Sequence, residues 1–177
     1  MFKLLRVAFV LLVASCTLTS CGFQPRGLTA ISFSSINIQG KTLSISKALR
    51  NNLKANGIKV LPTAENADLL LDLTSENVEK RILSLSGAGV VREYVLYYRI
   101  HYRLRDANEA LWSPEQTIEA RRDFTYSDAE LLAKQSEEVR LYENMRSDVV
   151  SNLMRRLSRH KPAQDTTGAT NATGAKP

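Results

Sequence analysis

The feature that most constrains the fold is a strict alternation over residues 93–105, "EYVLYYRIHYRLR". Successive side chains of a β-strand point to opposite faces of the sheet. One face of this strand is apolar and is formed by Tyr94, Leu96, Tyr98, Ile100, Tyr102 and Leu104. The other is polar and basic and is formed by Val95, Tyr97, Arg99, His101, Arg103 and Arg105. The pattern therefore predicts a sheet that is buried on one side only, which is typical of antiparallel sheets.

The segments around this strand predict the rest of the sheet. Residues 68–85 form a second long strand with a bulge near its middle, and residues 117–126 alternate again. Residues 35–38 form a short strand, and residues 58–61 form a brief extended piece that ends at Pro62.

Two helices are predicted from periodicity of about 3.6 residues. The first runs from a cap at Ser44 to a left-handed residue at Gly57. The stripe of residues that share one face of this helix is formed by Ile45, Ala48, Leu49, Asn52 and Leu53. The second follows a capping box of Ser127 and Glu130, with an interruption near residues 133–136. Its stripe is formed by Val139, Tyr142, Met145, Val149, Leu153 and Leu157. We expect an α/β (α+β) two-layer sandwich, with about four mostly antiparallel strands and two amphipathic helices on one face.

The N-terminus predicts export and lipidation. A basic start is followed by the apolar run 7–13, which is too short to span a membrane. The exit Leu18-Thr19-Ser20-Cys21 resembles the lipobox of bacterial lipoproteins, in which the cysteine carries the lipid. An ordinary secreted protein with a chance cysteine is the alternative. We expect a signal peptide at 1–20, a lipidated tether at 21–32, one domain at 33–161 and a disordered tail at 162–177.

Composition and motifs predict a protein that binds rather than catalyses. The chain has 24 basic residues, two of them (Lys3 and Arg6) in the expected signal, and 18 acidic residues. The mature net charge is therefore about +4, which does not call for a nucleic-acid partner. The only histidines are His101 and His160, and no nucleophile or metal-ligand motif is present. We expect no catalytic residues, no metal and no cofactor.

Several stretches together resemble the lipopolysaccharide-assembly lipoprotein family LptE. They are Cys21-Gly22-Phe23, "LSISKALRNNLKANGIKVL" at 43–61, "EYVLYYRIHYRL" at 93–104, and the last strand with the long helix at 121–157. The resemblance implies a sandwich that plugs the outer-membrane β-barrel LptD in a one-to-one complex and helps to assemble lipopolysaccharide. Gly22, in place of an aspartate retention signal, implies the outer membrane as the destination of the acyl-anchored protein.

The family also binds lipopolysaccharide, and the resemblance implies Lys134 as one binding residue. From the residues alone, Lys134 is equally a solvated helix lysine. A second basic residue of the family belongs in the turn 86–89, which is Ser-Gly-Ala-Gly here, and Arg81 and Arg92 flank that turn. The basic strand face of Arg99, Arg103 and Arg105, with Arg121 and Arg122 nearby, is expected to meet either lipid phosphates or the polar lumen of a barrel. The alternative function is a lipoprotein that binds another envelope ligand without a barrel.

Overall fold

The computed structural model of the chain describes residues 31–160. The expected signal peptide, the expected lipidation site Cys21 and all of the expected tail lie outside these residues. The strands are β1 (Ser35–Gly40), β2 (Lys59–Leu61), β3 (Leu69–Leu85), β4 (Val91–Asp106) and β5 (Gln116–Thr125). The helices are α1 (Ser46–Ala55) and α2 (Leu131–Arg159), with a 3₁₀ turn (Asp128–Glu130) before α2.

The sheet has five strands in the order β2-β1-β3-β4-β5, one more than expected. The extra strand is β2, which forms from the extended piece after α1. It pairs parallel with β1, and β1 also pairs parallel with β3, whereas β3–β4 and β4–β5 are antiparallel. Parallel neighbours need a crossover, and α1 supplies the one between β1 and β2. The two-layer α+β sandwich is therefore confirmed, with a mixed sheet.

A bulge in β3 decides which of its residues face the helices. Leu73 pairs with Tyr102 and Ser75 pairs with His101, so Thr74 is an extra residue on β3. Beyond an extra residue, the side chains of a strand point to the opposite face of the sheet from the one that the preceding alternation would give them. Consequently Glu76 lies opposite Ile100, on the helix-covered side of the sheet.

The core lies between the sheet and both helices. The apolar side of β4 is buried as predicted, apart from a partly exposed Tyr94. From the helices, the core includes Leu49, Leu53, Met145, Val149, Leu153 and Leu157. The predicted stripes were wrong at Ala48, Asn52 and Val139, which are exposed. The first two lie at the edge of α1, and Val139 lies in the part of α2 before the buried positions begin.

Both helices begin differently from the sequence prediction, whereas the C-terminal end of α1 agrees with it. Gly57 has φ +77 and follows the helix as expected. Ser44 does not cap α1, because its amide and hydroxyl donate to the Glu76 carboxylate instead. The predicted capping box is also wrong, since the segment after Ser127 forms the 3₁₀ turn without a side-chain cap. Helix α2 then continues without interruption through residues 133–136.

Candidate functional site

The sheet face opposite the helices, here called the open face, is organised around Tyr97 of β4. The guanidinium carbons of three arginines lie near the centre of its ring, Arg99 at 4.6 Å, Arg81 at 5.4 Å and Arg121 at 5.9 Å. They come from β4, β3 and β5 because cross-strand pairing places these positions side by side. Cations over an aromatic face are attracted to its negative potential.

Most arginines of the open face are paired with carboxylates, so the face is less basic than the sequence suggested. Arg99 bonds both Glu79, at 3.0 Å, and Glu119. Arg103 Nη2 lies 2.5 Å from Asp72 Oδ2, which is almost completely buried. Arg121 forms two bonds of 3.1 Å with Asp123. The expected cationic strand face is instead a network of alternating charges.

Trp112 extends this network at the other end of β4. It lies in the connection between β4 and β5, and its ring is 5.5 Å from the Arg103 guanidinium carbon and 5.1 Å from that of Arg105. Arg122 was expected near this face, and that expectation was wrong. Arg122 pairs with Leu96 on the helix side, where its guanidinium bonds Asp148 of α2.

The far end of the β3–β4 hairpin, here called the hairpin end, comprises residues 78–92. The pairing between β1 and β3 stops at Gly40 and Leu73, so β3 continues beyond it with only β4 as a neighbour. Large apolar side chains of this region are about half exposed, namely Val78, Ile82, Leu83, Leu85 and Val90. This is an apolar surface bordered by charges, a type that marks interaction sites.

The three predicted binding residues lie in or beside the hairpin end, with Arg81 and Arg92 inside it and Lys134 next to it. Lys134 Nζ lies 3.2 Å from Thr125 Oγ1, and Thr125 pairs with Glu93. The carbonyl of Arg92 accepts a 2.8 Å bond from the amide of Tyr126. The structure therefore brings Lys134 and Arg92 to the same end of β4 and β5.

The three predicted binding residues differ in whether their charge is already paired with a carboxylate. Lys134 is 14% exposed and bonds Glu137 at 2.9 Å, and Arg81 bonds Glu79. Arg92 is an extra residue in β4, because Ser84 pairs with Glu93 and Leu85 with Val91. Its exposed guanidinium has no bonded partner within residues 31–160. Arg81 lies on the open face, opposite Val95.

Electrostatics support the paired state of the open face. The hydrogen bonds from Arg81 and Arg99 hold the pKa of Glu79 below its ordinary value, and Glu79 in turn raises the pKa of both arginines. His101 lies on the same face with Nδ1 3.0 Å from Thr117 Oγ1. Within residues 31–160, no group of three or more His, Cys, Asp or Glu side chains is placed to hold a metal ion.

Sequence reasoning found the arginines of the open face but missed their carboxylate partners. Arg121 and Asp123 stand two apart on one strand, and this spacing was a usable signal. The contacts of Arg99 with Glu79 and Glu119 depend on the register of three strands. Trp112 lies in a connection without periodicity, so no pattern placed it against β4.

These features define a two-layer α+β sandwich with one exposed, charge-paired sheet face and a projecting hairpin. No helix within the described range is long and apolar enough to cross a membrane. A solution NMR structure of an uncharacterized lipoprotein B from Nitrosomonas europaea is 37% identical, with a TM-score of 0.67 over 77% of this chain and 90% of that chain. The fold class is that of bacterial lipoproteins.

Two further structures share the fold at lower identity. The rare lipoprotein B from Shewanella oneidensis is 23% identical, with a TM-score of 0.63 over 70% of this chain and 93% of that one. A minor lipoprotein from Acinetobacter baumannii is 17% identical, with a TM-score of 0.58 over 71% and 91%. No curated protein sequence shows significant similarity to the chain.

The model of the lipopolysaccharide-assembly family LptE matches residues 32–157. This range contains every strand and nearly all of α2. The chain therefore belongs to the lipopolysaccharide-assembly family LptE, as the sequence resemblance indicated.

Proposed function

We propose that the protein is a non-enzymatic lipoprotein of the outer membrane, anchored through acyl chains on Cys21. In this proposal it plugs the β-barrel LptD in a one-to-one complex, helps to place lipopolysaccharide in the outer leaflet and binds lipopolysaccharide directly. The observation that carries the proposal, beyond family membership, is the open face.

The open face has the properties of a surface that fits inside a barrel. Barrel interiors are polar, so a plug needs a polar surface whose charges do not repel either sign. The arginines around Tyr97 and Trp112 are held by carboxylates and aromatic rings, so most of them are already ordered before contact. A preorganised surface loses little side-chain entropy on binding.

Barrel partnering is tested by co-purification from membranes in mild detergent through a C-terminal tag. We expect a large barrel in one-to-one ratio with the wild type. Arg99→Glu should reduce the recovered barrel at least fivefold, because it removes the cation between Glu79 and Glu119 and places a third acid beside them. Arg140→Glu on the exposed side of α2 is the matched control. A wild-type lipoprotein recovered alone from cells that contain the barrel would contradict the proposal.

Direct binding of lipopolysaccharide is assigned to the hairpin end. Lipopolysaccharide carries phosphates beside acyl chains, and this region offers Arg92 and Lys134 beside exposed apolar side chains. Arginine and lysine are suited to phosphate recognition. Arg92 can bind a phosphate without breaking an ion pair. Lys134 must first break its ion pair with Glu137, and Arg81 its ion pair with Glu79.

Purified protein and labelled lipopolysaccharide provide the binding test. We expect Arg92→Ala to weaken binding about tenfold, since each good charge-assisted contact contributes about 1.4 kcal/mol or more. Lys134→Ala should weaken it less. Lys54→Ala in the last turn of α1 is the matched control. Unchanged affinity in the Arg92→Ala, Lys134→Ala double variant would reject the assignment while leaving barrel partnering untouched.

Lipidation is tested by metabolic labelling with a fatty acid. Wild-type protein should carry the label and sediment with the outer membrane. Cys21→Ala should lose both properties. A labelled, membrane-bound Cys21→Ala protein would contradict the assignment of the anchor.

A further inference from the structure

A cleft between α1 and α2 is separate from both surfaces discussed above. Its volume is about 260 Å³. It is lined from α1 and the residues before it by Ser44, Ile45, Ala48 and Asn52, and from α2 by Glu143, Arg146, Ser147, Val150 and Ser151. Ala48, Ser147 and Ser151 are small, so the helices leave a space where larger side chains would fill the groove between them.

Arg146 is the unusual residue of this cleft. Its Nε is hidden from solvent and has no hydrogen-bond partner among the described residues. Its guanidinium carbon lies 5.9 Å from the ring centre of Tyr98, and its charge contributes to lowering the pKa of Glu76. Buried polar atoms are nearly always hydrogen-bonded. The arginine thus lies near an aromatic ring and an acid, while its Nε donor is unused.

The other polar groups of the cleft are also available. The hydroxyls of Ser147 and Ser151 and the carboxylate of Glu143 have no bonded partner within residues 31–160. Asn52 donates to the carbonyl of Ala48 at 2.9 Å, which leaves its side-chain oxygen free to accept. Donors and acceptors therefore stand together over a floor formed by Ile45 and Val150, both of which are buried.

We propose that the cleft between α1 and α2 binds a neutral sugar ring. A sugar presents hydroxyls that both donate and accept at its edge, and an apolar C–H surface on its face. Two carboxylates accompany Arg146, Glu143 in the lining of the cleft and Glu76 within reach of its charge, so the site does not favour a phosphate. Pockets for drug-sized ligands begin at about 300 Å³, and this smaller cleft fits one ring rather than an acyl chain.

Sugar rings in the bacterial envelope come from two sources, and the test separates them. The full-length protein in mild detergent is titrated with a neutral hexose disaccharide, which represents the core oligosaccharide of lipopolysaccharide, and, separately, with the neutral disaccharide of N-acetylglucosamine, which represents the cell wall, using saturation-transfer NMR. The site is supported if either probe binds saturably and its affinity falls at least tenfold in Arg146→Met and in Ser147→Leu. The probe that binds more tightly then identifies the source.

Matched controls keep the test specific. Arg140→Met and Ser136→Leu make the same changes elsewhere on α2 and should leave sugar binding intact. Co-purification of the barrel with Arg146→Met is measured in parallel, so that failure of the proposed plug function is distinguished from failure of the sugar site. No saturable binding of either probe, or binding that Arg146→Met leaves unchanged, would overturn the proposal.

Discussion

The hydroxyl of Tyr98 donates a 2.7 Å hydrogen bond to Oε1 of Glu76, across the β3–β4 pair and beneath the start of α1. The ring of Tyr98 is fully buried. The amide of Ser44 donates to the other carboxylate oxygen at 2.8 Å, and its hydroxyl donates to Oε1 at 2.5 Å. One carboxylate thus joins β3, β4 and the entry to α1, and the Thr74 bulge turns it to this side of the sheet.

Glu76→Gln should destabilise the fold, because the amide of glutamine has one accepting oxygen instead of two and cannot accept all of these bonds. Hydrogen bonds to a charged group contribute about 1.5–3 kcal/mol, and we expect the loss in the free energy of unfolding to lie in this range. Urea denaturation followed by circular dichroism measures it. The double variant with Tyr98→Phe should lose less than the sum of the two single variants, and full additivity would show that the two residues do not act together.

Gly40 should be far less replaceable than Gly57, although both have positive φ, +85 and +77. A Cβ at Gly40 would lie 2.3 Å from Asp72 Oδ1 and 2.5 Å from the Leu73 carbonyl oxygen, whereas one at Gly57 meets nothing within 4 Å. Left-handed backbone costs about 1 kcal/mol for alanine at either position. We expect Gly57→Ala to lose about that amount in unfolding free energy and Gly40→Ala to lose more than twice as much. Equal losses would contradict the close packing of β1 on β3.

Lys80 should hold the hairpin end to α2. Its ammonium lies 4.2 Å from the ring centre of Tyr94 and 2.5 Å from Glu138 Oε2. The cation–π contact and the partly exposed ion pair together contribute about 1 kcal/mol. Lys80→Met should therefore speed amide hydrogen exchange in residues 131–142 while leaving residues 145–157 unchanged. Lys47→Met, on the exposed side of α1, is the control, and equal exchange in both variants would reject this role.

The sequence predicted what depends on local periodicity and missed what depends on pairing between strands. The alternation of β4 correctly predicted which of its tyrosines are buried. In a regular strand, the face on which a side chain lies follows from its position along the chain alone. The expectation that Ser44 caps α1 failed because Glu76, a residue 32 positions away, takes its hydrogen bonds. Likewise, Arg99 was expected to be part of a basic strand face, but strand register brings Glu79 and Glu119 to it.

The two ends of α2 should respond differently to truncation of leucine. Leu153 is fully buried in the core, whereas Leu132 is 79% exposed. Replacing a buried leucine by alanine costs about 2–5 kcal/mol, since contacts are lost and a cavity remains. Leu153→Ala should therefore lower the melting temperature strongly, while Leu132→Ala should change it little. If Leu132→Ala were the more damaging of the two, the assignment of the core side of α2 would be wrong.

Asp68 should make the fold sensitive to acid at the junction of β1 and β3. Its Oδ2 accepts bonds from the hydroxyl of Ser34 at 2.8 Å, from the amide of Ser34 at 2.8 Å and from the amide of Ser35 at 2.9 Å. The Ser34 hydroxyl is the main cause that holds the pKa of Asp68 below its ordinary value, with the backbone amide next. Because the carboxylate is more acidic in the folded state, its contribution is complete above the unfolded pKa of about 3.9.

That contribution is lost as pH falls through the lower folded pKa of Asp68, so the acid limb of the stability curve should depend on this residue. Asp68→Asn should be less stable than wild type by about 1 kcal/mol at pH 7, a value reduced by solvent exposure of the group. The difference should shrink as pH falls below the unfolded pKa and through the lowered folded pKa of Asp68. Urea denaturation of both proteins across this range measures it. A difference that stayed constant with pH would mean that the charge of Asp68 does not stabilise this junction.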